Sequence, residues 1–206
     1  YMRQVAPKLC SAAFVLSCSR TGFQASGTLV ERCDSADTYR AEALGAAAGL
    51  LVIKAATSKR RRYLSILKAH CDNMGIVKHG NAAESSCPDR QVQADLITLI
   101  KKIIRGLPCQ LQYEHVFGHQ DEILRWDQLS LPEKLNVLCD SLAKRALMAG
   151  IVNRDYITNT FPFEDVILKC SNKKVVGQPT KAIYQWWGYK TARAFFHSKK
   201  IVNEAH

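Results

Sequence analysis

The stretch YLSILKAHCDNMGIVKHGN (residues 63–81) carries a strand pattern and a helix pattern on either side of one acidic residue. Its first half is typical of a buried strand that ends at Asp72, and its second half of a short helix. A strand that leads directly into a helix is the repeating unit of α/β proteins, which bind ligands beside the carboxyl ends of their strands. The sequence therefore predicts that Asp72 lies at a functional edge of a sheet.

The segments on either side extend this α/β pattern. Before it come two short β-favouring runs around SRTG (residues 19–22) and a long helix that begins near Asp37. After it come a helix ending near Gly106, a strand in CQLQYEHVF (residues 109–117) and a helix with Gly150 as its C-cap. This order predicts a mixed sheet flanked by helices.

The pattern changes after residue 150. Residues 151–206 hold nine basic and four acidic residues, a charge of +5. They predict a hairpin turning at residues 171–173 and then a basic helical tail. We therefore expect one domain over residues 1–150 and a small basic α+β extension over residues 151–206.

The composition indicates a globular protein with an anionic partner. Of the 206 residues, 47% are apolar and 23% charged, and the net charge of +11 favours nucleic acid over a partnerless basic protein. None of the eight cysteines forms a C-x-x-C pair, which excludes a zinc ribbon and is typical of reduced thiols. No apolar run is long enough to span a membrane. We expect an intracellular protein, cytoplasmic or nuclear and not secreted.

Three acids fall on different predicted elements. Glu42 lies early in the first long helix, Asp72 at the end of a strand, and Asp140 beside the apolar face of the last strong helix. Each alone is equally consistent with a helix-terminal acid, a strand-end cap or a hydrogen-bonded helix acid. Together they suggest a site for a hard cation such as Mg²⁺.

The stretch HVFGHQDE (residues 115–122) holds two histidines four residues apart. A zinc site at His115 and His119 lacks further Cys or His residues at ligand spacing, so this interpretation is rejected. A strand that leads into a polar loop is predicted instead, with His115 structural and Asp121 and Glu122 solvated.

Four motifs resemble, in order and spacing, the type 1 ribonuclease H domain, most closely the region that follows the polymerase in eukaryotic retroelement reverse transcriptases. The resemblance covers about residues 10–150. The motifs are TYRAEALGAAAGLL (38–51), AHCDNMGIV (69–77), EHVFGHQDE (114–122) and LNVLCDSLAKRA (135–146).

The resemblance implies an RNase H-like fold and two-metal hydrolysis of the RNA strand of an RNA–DNA hybrid. The cofactor would be Mg²⁺ or Mn²⁺, and a polymerase domain would precede this one in the parent protein. Carried over by motif, the metal ligands and catalytic acids are Glu42, Asp72 and Asp140.

The resemblance also implies three roles beside the metals. His119 matches a mobile histidine that assists proton transfer or product release. Asn136, on the same helix as Asp140, matches an asparagine that contacts substrate. Asn73, beside Asp72, is a second position expected on the substrate side.

One family feature is missing. The family carries a fourth carboxylate in an Asp-Gly-Ser motif on a central opening strand, whereas residues 1–10 here contain no acid. A chain without that strand should expose two strand edges. Either the chain, which begins with Tyr1, is a fragment, or the copy is degenerate. With three carboxylates we expect this chain to be weakly active or inactive.

Two other classes of protein share parts of this pattern. A DDE-type integrase or transposase has the same fold but places Glu last among its acids, which disfavours it here. A non-catalytic RNase H-like module would bind nucleic acid through basic residues, with the tail aromatics either stacking on bases or forming a small core. Its candidate residues are Lys59, Arg60, Arg61, Arg62, Lys101, Lys102 and Arg105, with Trp186, Trp187, Tyr189, Lys190, Arg193 and Phe195 in the tail.

Overall fold

The segments with strand and helix patterns form these elements in the computed structural model, which describes residues 8–18, 20–33, 36–58, 66–82, 92–154, 157–158, 168–170 and 173–198. The strands are β1 (Lys8–Ser17), β2 (Gln24–Cys33), β3 (Ile66–Cys71), β4 (Gln110–His115), β5 (Ile157–Thr158), β6 (Lys169–Cys170) and β7 (Lys173–Lys174). The helices are α1 (Thr38–Ser58), α2 (Met74–Asn81), α3 (Ala94–Arg105), α4 (Leu131–Asn153) and α5 (Pro179–Ser198), with a 3-10 turn at Gln120–Glu122. The predicted mixed α/β class is confirmed.

Among the described residues, the strands form three small, open sheets. β1 and β2 pair antiparallel and β5 adds parallel to β2, so this sheet is mixed. β3 and β4 pair in parallel, and β6 and β7 form an antiparallel hairpin. Within the described residues, no strand pairs with the second edge of β1 or of β3. We refer to these two unpaired edges as the interruption of the sheet.

The core lies where α1, α2 and α3 meet the strands. Its buried side chains come from β1, β3 and β4 and from these three helices. α1 approaches β1 closely because it carries small residues on that side: a Cβ added at Gly45 would lie 2.8 Å from the carbonyl oxygen of Ala13. The Ala- and Gly-rich sequence of α1 is therefore required for this packing.

A buried ion network fixes the start of α1. Arg40 is fully buried and forms two hydrogen bonds to the Glu31 carboxylate of β2, at 2.5 and 2.6 Å. It also donates to both carboxylate oxygens of Asp95 at 3.1 Å and to the Gln93 side chain at 2.7 Å. Burial would lower the pKa of Arg40, but its hydrogen bonds to Glu31 and Asp95 overcome this and raise it. The network joins β2, α1 and α3.

The C-terminal extension attaches to this network. The Lys174 ammonium lies 3.0 Å from the Asp95 carboxylate, and the backbone N–H of Asp95 donates to the Val176 carbonyl at 3.4 Å. The predicted hairpin and helical tail are both present, as β6–β7 and α5, although residues 171–172 lie outside the described residues. The division at residue 150 stays a prediction.

Two local predictions are wrong. Gly150 does not end α4, because the helix continues to Asn153 and Arg154 takes the left-handed conformation at its end, with φ 54°. Lys101 is only 8% exposed and is therefore not available to a phosphate, whereas Lys102 and Arg105 are exposed.

The other basic run that was considered for phosphate contact, residues 59–62, lies outside the described residues. Within the described part of the chain, no helix is long and apolar enough to cross a membrane.

We predict that Arg40→Met destabilises the fold by about 3–5 kcal/mol, because it leaves the Glu31 and Asp95 carboxylates buried with one cation fewer. Urea unfolding followed by circular dichroism measures this loss. Arg125→Met is the matched control, since the Arg125 side chain is 82% exposed and its loss should change the free energy of unfolding by less than about 0.5 kcal/mol. A loss below about 1 kcal/mol for Arg40→Met would contradict the structural role of the network.

Candidate metal and active site

Three elements bring a compact group of potential metal ligands together. Glu42 lies in the second turn of α1, Cys71 is the last residue of β3, and Asp72 follows at the bend after that strand. One ligand atom from each lies within 4.8 Å of the other two. The Cys71 thiol donates to the Glu42 carboxylate at 3.7 Å. The predicted position of Asp72 at the edge of a sheet is thus the position at which these ligands meet.

Asp140 lies beside this group on α4. Burial raises its pKa, the charge of Asp72 adds to the effect, and the charges of His119 and Lys144 oppose it. The structure therefore places Glu42, Asp72 and Asp140 close enough for their charges to interact. Their assignment as ligands and catalytic acids stays a prediction.

The protonation of Glu42 reflects this crowding. Burial, followed by the charges of Asp72 and Asp140, raises the pKa of Glu42 to about 7. Burial likewise raises the pKa of Cys71 to about 12, with the charge of Glu42 as the next cause. The site therefore has three carboxylates, opposed at Asp140 by the charges of His119 and Lys144, and it favours either a bound proton or a bound cation.

His119 lies at the exposed side of Asp140. Its Nδ1 is 3.9 Å from a carboxylate oxygen of Asp140 and 3.8 Å from one of Glu122, and its side chain is 65% exposed. Its backbone adopts the left-handed conformation, with φ 54°, at the start of the 3-10 turn. The imidazole of His119 therefore lies at the solvent-exposed edge of the site, near two carboxylates.

The two predicted substrate asparagines have different surroundings. The Asn136 amide of α4 donates to the Asp72 carboxylate at 3.4 Å, which orients Asp72. The Asn73 side chain instead caps α2, accepting from the backbone N–H groups of Gly75 at 2.9 Å and Ile76 at 3.4 Å. Asn73 thus has a structural role, and a substrate contact by either residue stays a prediction.

Three further residues shape the site, and the sequence interpretation gave none of them a place in it. Cys71 contributes a sulfur atom to the ligand group. Gly118 lets the loop approach Asp72, because a Cβ there would lie 2.9 Å from the Asp72 carboxylate. His115, predicted to be structural, has its Nε2 3.1 Å from the backbone oxygen of Asp72. The position of Cys71 directly before Asp72 was a usable signal in the sequence. The roles of Gly118 and His115 can be recognised only once the fold is known.

A small cavity of about 40 Å³ lies next to this group, between β1, α1 and α4. It lies against β1, whose second edge is unpaired among the described residues, and Glu42 and Asp140 both face it. Its lining residues are Ser11, Ala12, Ala13, Ala41, Glu42, Asn136, Cys139, Asp140 and Ala143. The interruption of the sheet and the acidic site therefore lie side by side.

Comparison with known proteins gives a similarity in structure but none in sequence family. No protein-family model matches the sequence, and no curated protein matches it. The chain is similar to the crystal structure of RNase H1 from the halophilic archaeon Halobacterium salinarum NRC-1, with 17% sequence identity and a TM-score of 0.43. The match covers 71% of this chain and 91% of that one. At this identity and TM-score, the assignment of a function depends on the residues of the site.

We predict that Glu42→Gln stabilises the metal-free protein above pH 7. The folded state binds the Glu42 proton more tightly than the unfolded chain, whose ordinary pKa is 4.5. Wild-type stability from this group is therefore fully present below pH 4.5 and is lost as the pH rises to about 7. Gln carries no charge, so the melting temperature of the variant should exceed that of the wild type increasingly over this range and by a constant amount above it.

Thermal unfolding in EDTA between pH 4.5 and 8 measures this difference. Glu122→Gln is the control, because the Glu122 side chain is 75% exposed and the substitution should leave the pH profile unchanged. Parallel profiles for wild type and Glu42→Gln would show that Glu42 is not the buried acid described above.

Proposed function

We propose that this chain is the RNase H-like domain of a retroelement reverse transcriptase. In the parent protein, this domain would hydrolyse the RNA strand of RNA–DNA hybrids with two divalent metal ions. The observation that carries the proposal is the convergence of Glu42, Asp72 and Asp140 from a helix, a strand end and a second helix. These are the positions, in the same chain order, that the sequence motifs assign to the metal ligands.

The donor set fits a hard divalent ion. Carboxylate oxygens are the ligands that Mg²⁺ and Mn²⁺ prefer, and the raised pKa values of Glu42 and Asp140 indicate a site that a cation would stabilise. A divalent ion bound there would polarise the scissile phosphodiester and neutralise charge on the leaving oxygen. Glu42, Asp72 and Asp140 would hold it.

Two neighbouring residues would support the reaction, Asn136 by positioning Asp72 and His119 by assisting proton transfer. Asn136 holds the Asp72 carboxylate through its amide N–H at 3.4 Å. His119 is exposed and its Nδ1 lies 3.9 Å from an Asp140 carboxylate oxygen, so it would assist proton transfer at the edge of the site. The +11 charge of the chain would attract the hybrid backbone. Such a domain would act inside the cell, attached to a polymerase domain.

The chain by itself is expected to be a weak nuclease or an inactive one. The family uses four carboxylates, and three provide less negative charge to hold two divalent ions close together. The second ion should therefore bind poorly. An active parent protein is therefore compatible with weak or absent activity of this chain.

We predict that Asp72→Asn weakens Mn²⁺ binding by at least about tenfold, because it removes one of three carboxylates. The electron paramagnetic resonance signal of free Mn²⁺ reports binding directly. Asp127→Asn, at a 69% exposed side chain, should leave Mn²⁺ binding unchanged.

Hybrid cleavage is the second measurement. On a labelled RNA–DNA hybrid with Mg²⁺, slow cleavage or none is expected from the wild type and none from Asp72→Asn. Cleavage that survives Asp72→Asn would contradict the site, and robust cleavage that Asp72→Asn abolishes would contradict only the weak activity.

A second candidate function is a nucleic-acid-binding module that does not cut. The observation that favours it is the exposure of α5, where the Tyr184 and Trp187 side chains are 73% and 65% exposed. On the same helix the Lys190 ammonium lies 4.3 Å from the Trp186 ring centroid. Tyr184 and Trp187 are therefore not part of a small core and are available for stacking on bases. The side chains of Tyr189, Arg193 and Phe195 lie outside the described part.

We predict that Trp187→Ala weakens binding to a hybrid with a single-stranded overhang about 5- to 150-fold, the effect of losing one base–aromatic stack. Fluorescence anisotropy over a range of salt concentrations measures it, and affinity should fall steeply with salt. Phe23→Ala is the control, because Phe23 is also exposed, at 59%, but lies in the β1–β2 turn region. An affinity independent of both salt and Trp187 would exclude this surface.

A further inference from the structure

The sulfur atom of Cys71 lies inside the candidate metal site. Its Sγ is 3.7 Å from a Glu42 carboxylate oxygen, and both atoms lie within 4.8 Å of a carboxylate oxygen of Asp72. The residue is 7% exposed, and its sulfur accepts a hydrogen bond from the backbone N–H of Asn73 at 3.4 Å. Neighbouring strand residues point to opposite faces, but β3 ends at Cys71 and the chain bends at Asp72. Both side chains can therefore reach Glu42.

The sulfur–oxygen separation suits one tetrahedral ion. With Zn–S near 2.3 Å and Zn–O near 2.1 Å, tetrahedral geometry separates the two ligand atoms by about 3.6 Å. The observed distance between Cys71 Sγ and Glu42 Oε2 is 3.7 Å. A single ion could therefore contact both atoms without movement of either backbone. Asp72 would supply the third ligand, and water the fourth.

The chemistry of the three donors selects between ions. Mg²⁺ takes oxygen ligands with near-octahedral geometry and gains little from sulfur. Zn²⁺ and Cd²⁺ form strong bonds to thiolate and prefer a mixed sulfur and oxygen set over oxygen alone. On binding, the Cys71 S–H bond breaks, an S–metal bond forms, and the proton leaves to solvent.

We propose that Glu42, Cys71 and Asp72 form a site for thiophilic divalent ions, represented by Zn²⁺, which competes with Mg²⁺ or Mn²⁺ for the same carboxylates. Binding of Zn²⁺ would withdraw Glu42 and Asp72 from the ion that supports hydrolysis, so Zn²⁺ would inhibit the domain. The inhibitory role rests on the proposed function, whereas the binding site does not.

Titration of the metal-free full chain with Cd²⁺ tests the site, because a thiolate–Cd²⁺ bond has an ultraviolet charge-transfer band. The chain contains eight cysteines, so the informative quantity is the difference between wild type and Cys71→Ser. We expect that difference to correspond to one thiolate–Cd²⁺ bond, and Cys71→Ser to weaken the tightest Cd²⁺ binding at least about tenfold. Cys139→Ser is the matched control: this half-buried thiol precedes Asp140 but is outside the ligand group, so its band should equal that of the wild type.

Competition against Mn²⁺ provides the second measurement. Zn²⁺ should release bound Mn²⁺ from the wild type, and Cys71→Ser should raise the Zn²⁺ concentration required, corrected for the variant's own Mn²⁺ affinity, at least about tenfold. Retained Mn²⁺ binding also shows that the variant is folded, and Cys71→Ala serves if Ser disturbs this buried position. The proposal is overturned if Cys71 variants that bind Mn²⁺ leave the Cd²⁺ band and the Zn²⁺ competition unchanged. A different result would show that the proposed function is wrong. In that case hybrid cleavage or Mn²⁺ binding would not depend on Asp72, while Cd²⁺ binding would still depend on Cys71.

Discussion

The buried contact between Arg40 and Glu31 is the constraint on which the position of the candidate site depends. Both side chains are fully buried, and Asp95 and Lys174 complete a group with two positive and two negative charges. A buried charge without its partner is very costly, so β2, α1 and α3 must meet at this point and in this register. Arg40 lies two residues before Glu42. Fixing the first turn of α1 therefore also fixes the carboxylate that the candidate site uses.

The interrupted sheet is the second determinant of the site. β1 and β3 each have one edge that no described strand pairs with, and the carboxylates lie where β1, α1 and α4 surround a small cavity. In a continuous sheet, another strand would occupy part of this space and would add its own side chains to the site. The fold without it depends on helix contacts, because α1 and α4 both pack against β1. This explains why the two helix acids face the same cavity.

Local patterns in the sequence were sufficient to predict most of the elements and to place the three acids on them. The strand before Asp72 and the helix around Asp140 have clear periodicity, and each was located within a few residues. The extent of α4 was wrong because a helix can pass through a glycine such as Gly150, which is buried here, when tertiary packing compensates. The division of the sheet and the burial of Lys101 depend on contacts between distant segments. No local pattern contains that information.

The Arg40 network and the ligand group illustrate the same limit. The Arg40 network joins residues 31, 40, 95 and 174, and the three members from β2, α1 and α3 each have a charged side chain that would ordinarily be assigned to the surface. Cys71 was likewise assigned to a general set of buried thiols, although it directly precedes Asp72. Sequence reasoning selected residues by chemical type, and type alone does not distinguish a thiol in a core from a thiol that faces a carboxylate.

α1 separates a balanced charge cluster from an unbalanced one. Two residues along a helix are about 200° apart, so Arg40 and Glu42 point to nearly opposite sides. On the Arg40 side, cations and carboxylates match, and the result is a fixed junction between elements. On the Glu42 side, burial and the charges of Asp72 and Asp140 raise the pKa of Glu42 to about 7, although His119 and Lys144 partly oppose the negative charge at Asp140. A fold retains an unbalanced buried cluster at a cost in stability, and a bound cation would remove that cost. The contrast between the two sides of one helix is therefore the strongest physical reason to regard the second cluster as a binding site.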